Sequence, residues 1–280
     1  MSFRRKIKEK MRELENKTVV ITGATKGIGK AVADRLQKSN TVIRVARHIE
    51  DDGVLNFACD VSDGEAVLEL FDRIYAAHGH IDLLLNNVGE GLTGAVEFLD
   101  QKYLDEIVKV NLMSVVYCTK AALMHEKQPF KIVNMSSIAS LGVQPFRTMY
   151  TTTKAAVSAF TVGMRQELYG SDVEVCAITM GDAVTDFGKH HHCNFTSSAR
   201  YGDRLSRGEE YGEKRTARPV NPKDRRMPID KAAKGICKVL SKKHFGKYTY
   251  FIGFKYKALY VVSRFFTMEG VSNIVRRIFE

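Results

Sequence analysis

Residues 22–30 read TGATKGIGK, three glycines set between the apolar run TVVIT (18–22) and a helical pattern that follows. A turn alone needs one glycine. A helix entered directly from a strand presents unpaired backbone N–H groups and the positive end of its dipole, and together these bind phosphate. In that reading Gly23 permits the tight turn, Gly27 lets the backbone approach a pyrophosphate, and Gly29 lets the helix pack closely on the strand. Thr25, Lys26 and Ile28 fill the same loop. The spacing T-G-x-x-x-G-x-G differs from the common G-x-G-x-x-G fingerprint, so the stretch needs support from the rest of the chain.

Outward from it, apolar runs of strand length alternate with helical patterns. TVIRVA (41–46), LNFACD (55–60), DLLLNN (82–87), KIVNMSS (131–137), VEVCAIT (173–179) and YTYFIG (248–253) read as further strands. Helices are expected around 27–38, 65–78, 99–124, 150–169 and 229–241. Nearly continuous apolar strands separated by helices indicate a parallel sheet covered on both faces. This is a doubly wound α/β fold, with ligands expected at the carboxyl ends of the strands. A length of 280 residues suits one such domain over 1–280.

Two regions break the rhythm. Residues 186–228 are polar, charged and weakly periodic, as a lid or substrate loop is. At the ends, Phe3, Ile7, Met11 and Leu14 recur at helical spacing among basic residues in the extension 1–16, and the tail 254–280 mixes aromatics with Lys and Arg.

Composition narrows the class. Hydrophobic residues make up 44% and charged ones 27%, as in a globular protein, and no apolar run is expected to reach the roughly 18 residues of a membrane span. The opening MSFRRKIKEK lacks a signal peptide's apolar block, so a cytoplasmic protein is expected. The five cysteines form no C-x-x-C pair and are read as reduced thiols. A net charge of +11 admits nucleic acid, an anionic membrane or an anionic cofactor. The basic residues are dispersed and no nucleic-acid motif is present, which leaves a cofactor and, at the basic ends, a subunit contact first and a peripheral membrane contact second. KHHHC (189–193) invites a metal reading. Consecutive histidines do not readily turn three rings toward one ion, however, and no carboxylate cluster is near in sequence. No metal is expected there, and the His190–His192 run is read as part of a solvated lid.

Four more stretches stand in register with the glycine loop: CDV (59–61), NNVG (86–89), Asn111 in VKVNL, and NMSS (134–137) followed by YTTTK (150–154). With TGATKGIG they resemble the short-chain dehydrogenase/reductase family in content, order and separation. The resemblance implies a Rossmann-type sheet of about seven strands, a nicotinamide dinucleotide across the strand ends, and hydride transfer between a carbonyl and an alcohol. Carried over by motif, Ser137, Tyr150, Lys154 and Asn111 match the catalytic tetrad. Asp60 and Val61 match the pair beside the adenine, and Asn87 and Gly89 the segment supporting the cofactor. Gly181 and Thr185 match the glycine and hydroxyl near the nicotinamide, although Met180 stands where the family usually has proline.

The residues bear such roles physically. Tyr150 and Lys154, four apart, project from one face of a helix. A tyrosine with a pKa of about 10 becomes a usable acid near neutrality when an ammonium favours its phenolate. Ser137, at a strand end, can hydrogen-bond the substrate oxygen. Lys154 also matches the anchor of the nicotinamide ribose, and Asn111 the residue that holds a relay water.

The end of the second strand, VIRVARH, carries no acid before Glu50. Arg47 there suits a 2′-phosphate, and the resemblance implies a second basic contact at Lys26, a place where NADP-preferring members of the family carry a basic residue, so NADP(H) is expected. The pocket is expected from 90–100, 141–150 and 186–228, with Val143, Phe146, Phe187 or Phe195 as apolar walls. The loop and tail look like the branch with 17β-hydroxysteroid and retinol dehydrogenase relatives, which implies a steroid-like, retinoid-like or fatty substrate. The family also implies a homodimer or homotetramer. The alternative is a catalytically silent NADPH-binding redox sensor.

Overall fold

The protein is described by a computed structural model that covers residues 14–185, 187, 191–202, 204, 226–267, 269–271 and 273. The basic pattern at Phe3, Ile7 and Met11, together with His190, most of 203–225 and the end of the tail, lies outside the described residues.

Seven parallel strands form the central sheet in the order β3-β2-β1-β4-β6-β7-β9. They are β1 (Thr18–Thr22), β2 (Thr41–Ala46), β3 (Asn56–Ala58), β4 (Leu83–Asn86), β6 (Phe130–Ser137), β7 (Val173–Met180) and β9 (Thr249–Ile252). Among the described residues seven helices accompany them: α1 (Gly27–Leu36), α2 (Gly64–His78), α3 (Gln101–Val108), α4 (Ser114–His125), α5 (Thr148–Glu167), α6 (Ile229–Leu240) and α7 (Phe254–Ser263). This is the Rossmann-type α/β fold expected from the sequence, in one domain.

The pleat explains why the strands read as unbroken apolar runs. Val19 and Ile21 point into a core shared with Val32 and Leu36 of α1 and Ile236 and Leu240 of α6. Val20 and Leu84 point the other way, into a core shared with Leu70, Phe71 and Ile74 of α2 and Cys118 and Ala121 of α4. Successive side chains face opposite layers and both layers are dry, so every position is apolar. α2 starts where the Asp63 carboxylate accepts from the N–H groups of Glu65 and Ala66, and it stops at Gly79 in the left-handed conformation.

Four features depart from the sequence reading. The helix expected over 99–124 is α3 and α4 joined by a π-turn at Lys109–Met113. A second, two-stranded parallel sheet pairs β5 (Leu92–Gly94) with β8 (His192–Asn194), so the segment read as a solvated lid supplies a strand. The first ten residues of the tail form α7, whose Tyr256 is buried in the core. The stretch Gln101–His125 is long and apolar enough to cross a membrane by length and composition, against expectation, but half of its most apolar window is buried. It is packed as a core helix of the domain.

β1 and β4 are neighbours although β2 and β3 follow β1 in sequence, so the chain leaves β1 in one direction and returns to its other side. A crevice opens at that reversal, outside the carboxyl ends of the strands.

Candidate active site

One cleft of about 890 Å³ lies over those strand ends. Its floor starts at the glycine loop. Lys26 caps α1 in an extended conformation with no side-chain hydrogen bond, and the first turn carries no acid. The opening N–H groups of α1 are therefore left to an external anion. Gly23 and Gly27 have φ of +68° and +55°, the left-handed region that other residues avoid. A Cβ on Gly29 would lie 2.2 Å from the Gly23 carbonyl oxygen and 2.6 Å from Asn87 Nδ2, which leaves room for hydrogen only.

Gly23, Thr25, Lys26, Gly27, Ile28, Arg47, Asp60, Val61, Asn87, Gly89, Gly181 and Thr185 all line the cleft. Gly29 does not: it lies beneath the loop, where it lets α1 approach β4, and this corrects its expected place among the cofactor contacts. Asn87 ties the ends of two strands together. Its Nδ2 donates to the Thr22 carbonyl at 3.0 Å, and its N–H donates to Thr22 Oγ1 at 3.0 Å. Arg47 is about half exposed and stands 3.9 Å from Asp60. The acids after β2 are turned elsewhere: Asp51 pairs with Arg73, and Asp52 accepts from the N–H groups of Val54, Leu55 and Asn56.

Ser137, Tyr150 and Lys154 line the same cleft. Ser137 closes β6, and its hydroxyl also accepts from the Ala139 N–H at 3.2 Å. Tyr150 and Lys154 lie on α5, both nearly buried, with the Arg147 guanidinium 4.7 Å from the tyrosine ring centre. Lys154 Nζ donates to the Met135 carbonyl at 3.2 Å. Burial with so little compensation pushes its pKa down from 10.5 to about 8.

Asn111 is placed differently from the other three. It is fully buried, and it lies behind the cleft wall rather than in it. The π-turn rotates its side chain onto the loop after β4, where Oδ1 accepts from the Glu90 N–H at 2.8 Å and Nδ2 donates to the Glu90 carbonyl at 3.0 Å. Nδ2 also donates to Thr153 Oγ1 at 3.1 Å, which binds the loop to α5.

Phe146, Phe187 and Phe195 line the cleft, whereas Val143 is 40% exposed and does not line it, contrary to expectation. Phe146 has φ of +62°, a strained value for a bulky residue, held by the hydrogen bond from the Gly94 N–H to its carbonyl.

His191 and His192 are not part of a solvated lid. His191 Nε2 lies 2.6 Å from Thr93 Oγ1, and the His192 ring stacks on Tyr103 at 4.1 Å. Two carboxylates, Glu90 and Glu106, also stand within 4.8 Å of His192 and of each other, where the sequence led us to expect none. Burial, then the neighbouring Glu106, pushes Glu90 up to about 7. No sequence signal could have joined Glu106 to His192, because they meet only through the β5–β8 ladder.

A pyrophosphate-sized cradle at the switch point of a parallel sheet, beside a buried Tyr–Lys pair and a strand-end serine, defines a nicotinamide-dinucleotide oxidoreductase acting on a carbonyl or alcohol. Residues 17–193 match the short chain dehydrogenase family, and the chain belongs to it. A 3-ketodihydrosphingosine reductase of Bacteroides thetaiotaomicron is 26% identical over 238 residues, 82% of this chain and 86% of its own length. A short-chain dehydrogenase from Streptomyces avermitilis superposes with a TM-score of 0.75 at 22% identity, over 90% of this chain and 93% of that one. A Burkholderia phymatum relative in complex with NAD has a TM-score of 0.73 at 20% identity, over 91% and 94% of the two chains. ElxO, with NADP bound, has a TM-score of 0.68 at 26% identity over 87% and 99%.

Proposed function

We propose that the protein is an NADP(H)-dependent reductase of a hydrophobic ketone or aldehyde, with Ser137, Tyr150 and Lys154 as its catalytic residues and Asn111 as the residue that holds their framework. The observation that carries this reading is the convergence of those three cleft residues at the mouth of the glycine cradle.

A nicotinamide held in the cleft would supply the hydride. Ser137 Oγ donates a hydrogen bond to the substrate oxygen and fixes the angle of the carbonyl. Tyr150 gives its phenolic proton to that oxygen as negative charge develops on it. Lys154, four residues on, favours the phenolate that remains and offers its ammonium to the ribose. Asn111 keeps Gly89 and Glu90 at the distance that these contacts require, through the two hydrogen bonds to Glu90.

NADP(H) is supported over NAD(H) by Arg47 and Lys26 at the cleft rim, with Asp51 held by Arg73 and Asp52 by the N–H groups of its own loop. A guanidinium with only a long, exposed partner is available to a 2′-phosphate. A hydrophobic substrate, fatty, steroid-like or retinoid-like, is supported by the three phenylalanines in the cleft, and a fatty one also by the name of the Bacteroides relative. Phe254, Leu259, Val261, Phe265 and Phe266 are exposed among Lys255, Lys257 and Arg264. We read this surface as a peripheral contact with an anionic membrane that holds such substrates, on a protein that is otherwise cytoplasmic. A homodimer or homotetramer is the expected assembly.

The test is NADPH oxidation, with NADH alongside, across steroid, retinoid, quinone and fatty carbonyl compounds. Tyr150→Phe is expected to lower turnover at least about a hundredfold with NADPH affinity kept. Equal turnover in the variant overturns the acid role. Tight NADPH binding with no turnover on any compound favours the redox-sensor alternative.

A further inference from the structure

We propose that Glu90, Glu106 and His192 form a binding site for a divalent transition-metal cation, with zinc the best match, at the wall of the cleft.

Three donor atoms, two carboxylate oxygens and one imidazole nitrogen, lie within 4.8 Å of one another. Each comes from a separately fixed element. Glu90 has its backbone N–H and carbonyl both held by Asn111. Glu106 is on α3 one turn after Tyr103, and the Tyr103 ring stacks on His192 with an interplanar angle of 23°. The helix that supplies one ligand thus also orients another. His192 is pinned from the other side by its register opposite Leu92 in the β5–β8 ladder.

Beyond the stacking of the His192 ring on Tyr103, the three side chains have no other partner among the described residues that fixes them. Among the described residues none of them has a hydrogen bond or an ion pair that would account for its position. Two carboxylates pressed together repel, a half-buried setting screens that repulsion poorly, and the nearby Arg47 guanidinium offsets it at Glu90 without lying between the pair. A cation between them removes the conflict. Two hard oxygens and one borderline nitrogen suit zinc or manganese, and three protein ligands leave a position open to water. A bound cation would join β8 to α3 and to the Glu90 loop, closing that wall of the cleft. The site does not depend on which nucleotide the cradle takes.

The full chain, stripped with a chelator, is titrated with zinc chloride and separately with magnesium chloride. Bound metal is then counted by elemental analysis after dialysis. One zinc per chain is expected, with magnesium failing to compete. Glu106→Gln and His192→Ala should each weaken zinc at least about tenfold. His191→Ala and Cys193→Ser should leave zinc affinity as it was. Zinc binding that survives both ligand variants, or that is lost in Cys193→Ser, overturns the proposal, as does no binding at all. If Glu106→Gln spares zinc and instead raises KM for amine-bearing ketones alone, the pair reads a substrate ammonium and the proposal fails. Unchanged circular dichroism and NADPH binding in the variants separate loss of ligands from loss of fold.

Discussion

Lys154 allows a prediction whose sign and size follow from its surroundings. Its ammonium is buried with one carbonyl acceptor, and its pKa in the fold is about 8 against 10.5 in solvent. Between those values the unfolded chain binds the proton and the folded one does not, so stability rises with pH across that window. Below about 8 both states carry the proton and the full cost of burying charge is present. Above 10.5 neither does, and the cost is gone. At 1.36 kcal/mol per pH unit, the gap amounts to about 3 kcal/mol. Lys154→Met removes the titration while keeping an unbranched apolar stem, and other titrations in the window are common to both proteins. Urea unfolding without cofactor, from pH 7.5 to 10.5, should show wild type gaining about 3 kcal/mol on the variant. A difference flat to within about 0.5 kcal/mol would refute the claim that this ammonium is held without compensation.

Other sites give shorter tests. Arg47→Asp is expected to weaken NADPH far more than NADH in fluorescence titrations, and equal loss of both would assign the 2′-phosphate to another group. Gly29→Ala should cost at least about 2 kcal/mol in urea midpoint analysis and weaken nucleotide binding, because the new methyl meets backbone atoms that cannot swing aside. Glu126 is a structural hub whose carboxylate accepts from the N–H groups of Ile81, Lys127 and Gln128 and from Tyr75 and His80. Glu126→Gln sets an amide N–H among those donors and is expected to destabilise by about 2–4 kcal/mol with cofactor affinity unchanged. Burial alone would raise the pKa of Glu126, but its donors outweigh that and lower it, so its contribution is lost as pH falls through the folded value.

What the sequence made legible depended on where the information lay. The strands could be read because each is buried on both faces, and the cradle because a turn at positive φ beneath an uncapped helix demands glycine at fixed spacing. The β5–β8 ladder could not. LTG and HCN are three-residue runs about a hundred positions apart, too short to show a period, and their pairing is decided by tertiary packing. The π-turn at KVNLM was hidden for a related reason: its apolar pattern is that of any helix, and only the Glu90 backbone across the cleft wall reveals why the extra residue is there. Val143 fails as a wall residue because apolar character in a loop carries no direction. The buried Asn86–Asn134–Thr161 chain was half visible, its asparagines noticed as motif letters and its hydrogen bonds at 2.9 and 3.0 Å recognisable only once strands β4 and β6 are laid side by side.

The packing of Tyr256 against Gly181 gives the tail a further meaning. A Cβ on Gly181 would fall 2.0 Å from that ring, so the loop running on to Thr185 rests directly on α7 with no side chain between them. A displacement of α7 would therefore also press on the part of the cleft lined by Gly181 and Thr185. Under the proposed membrane contact, anchorage and turnover would share one mechanical support, and the enzyme at a surface need not run at the speed of the same enzyme adrift in buffer.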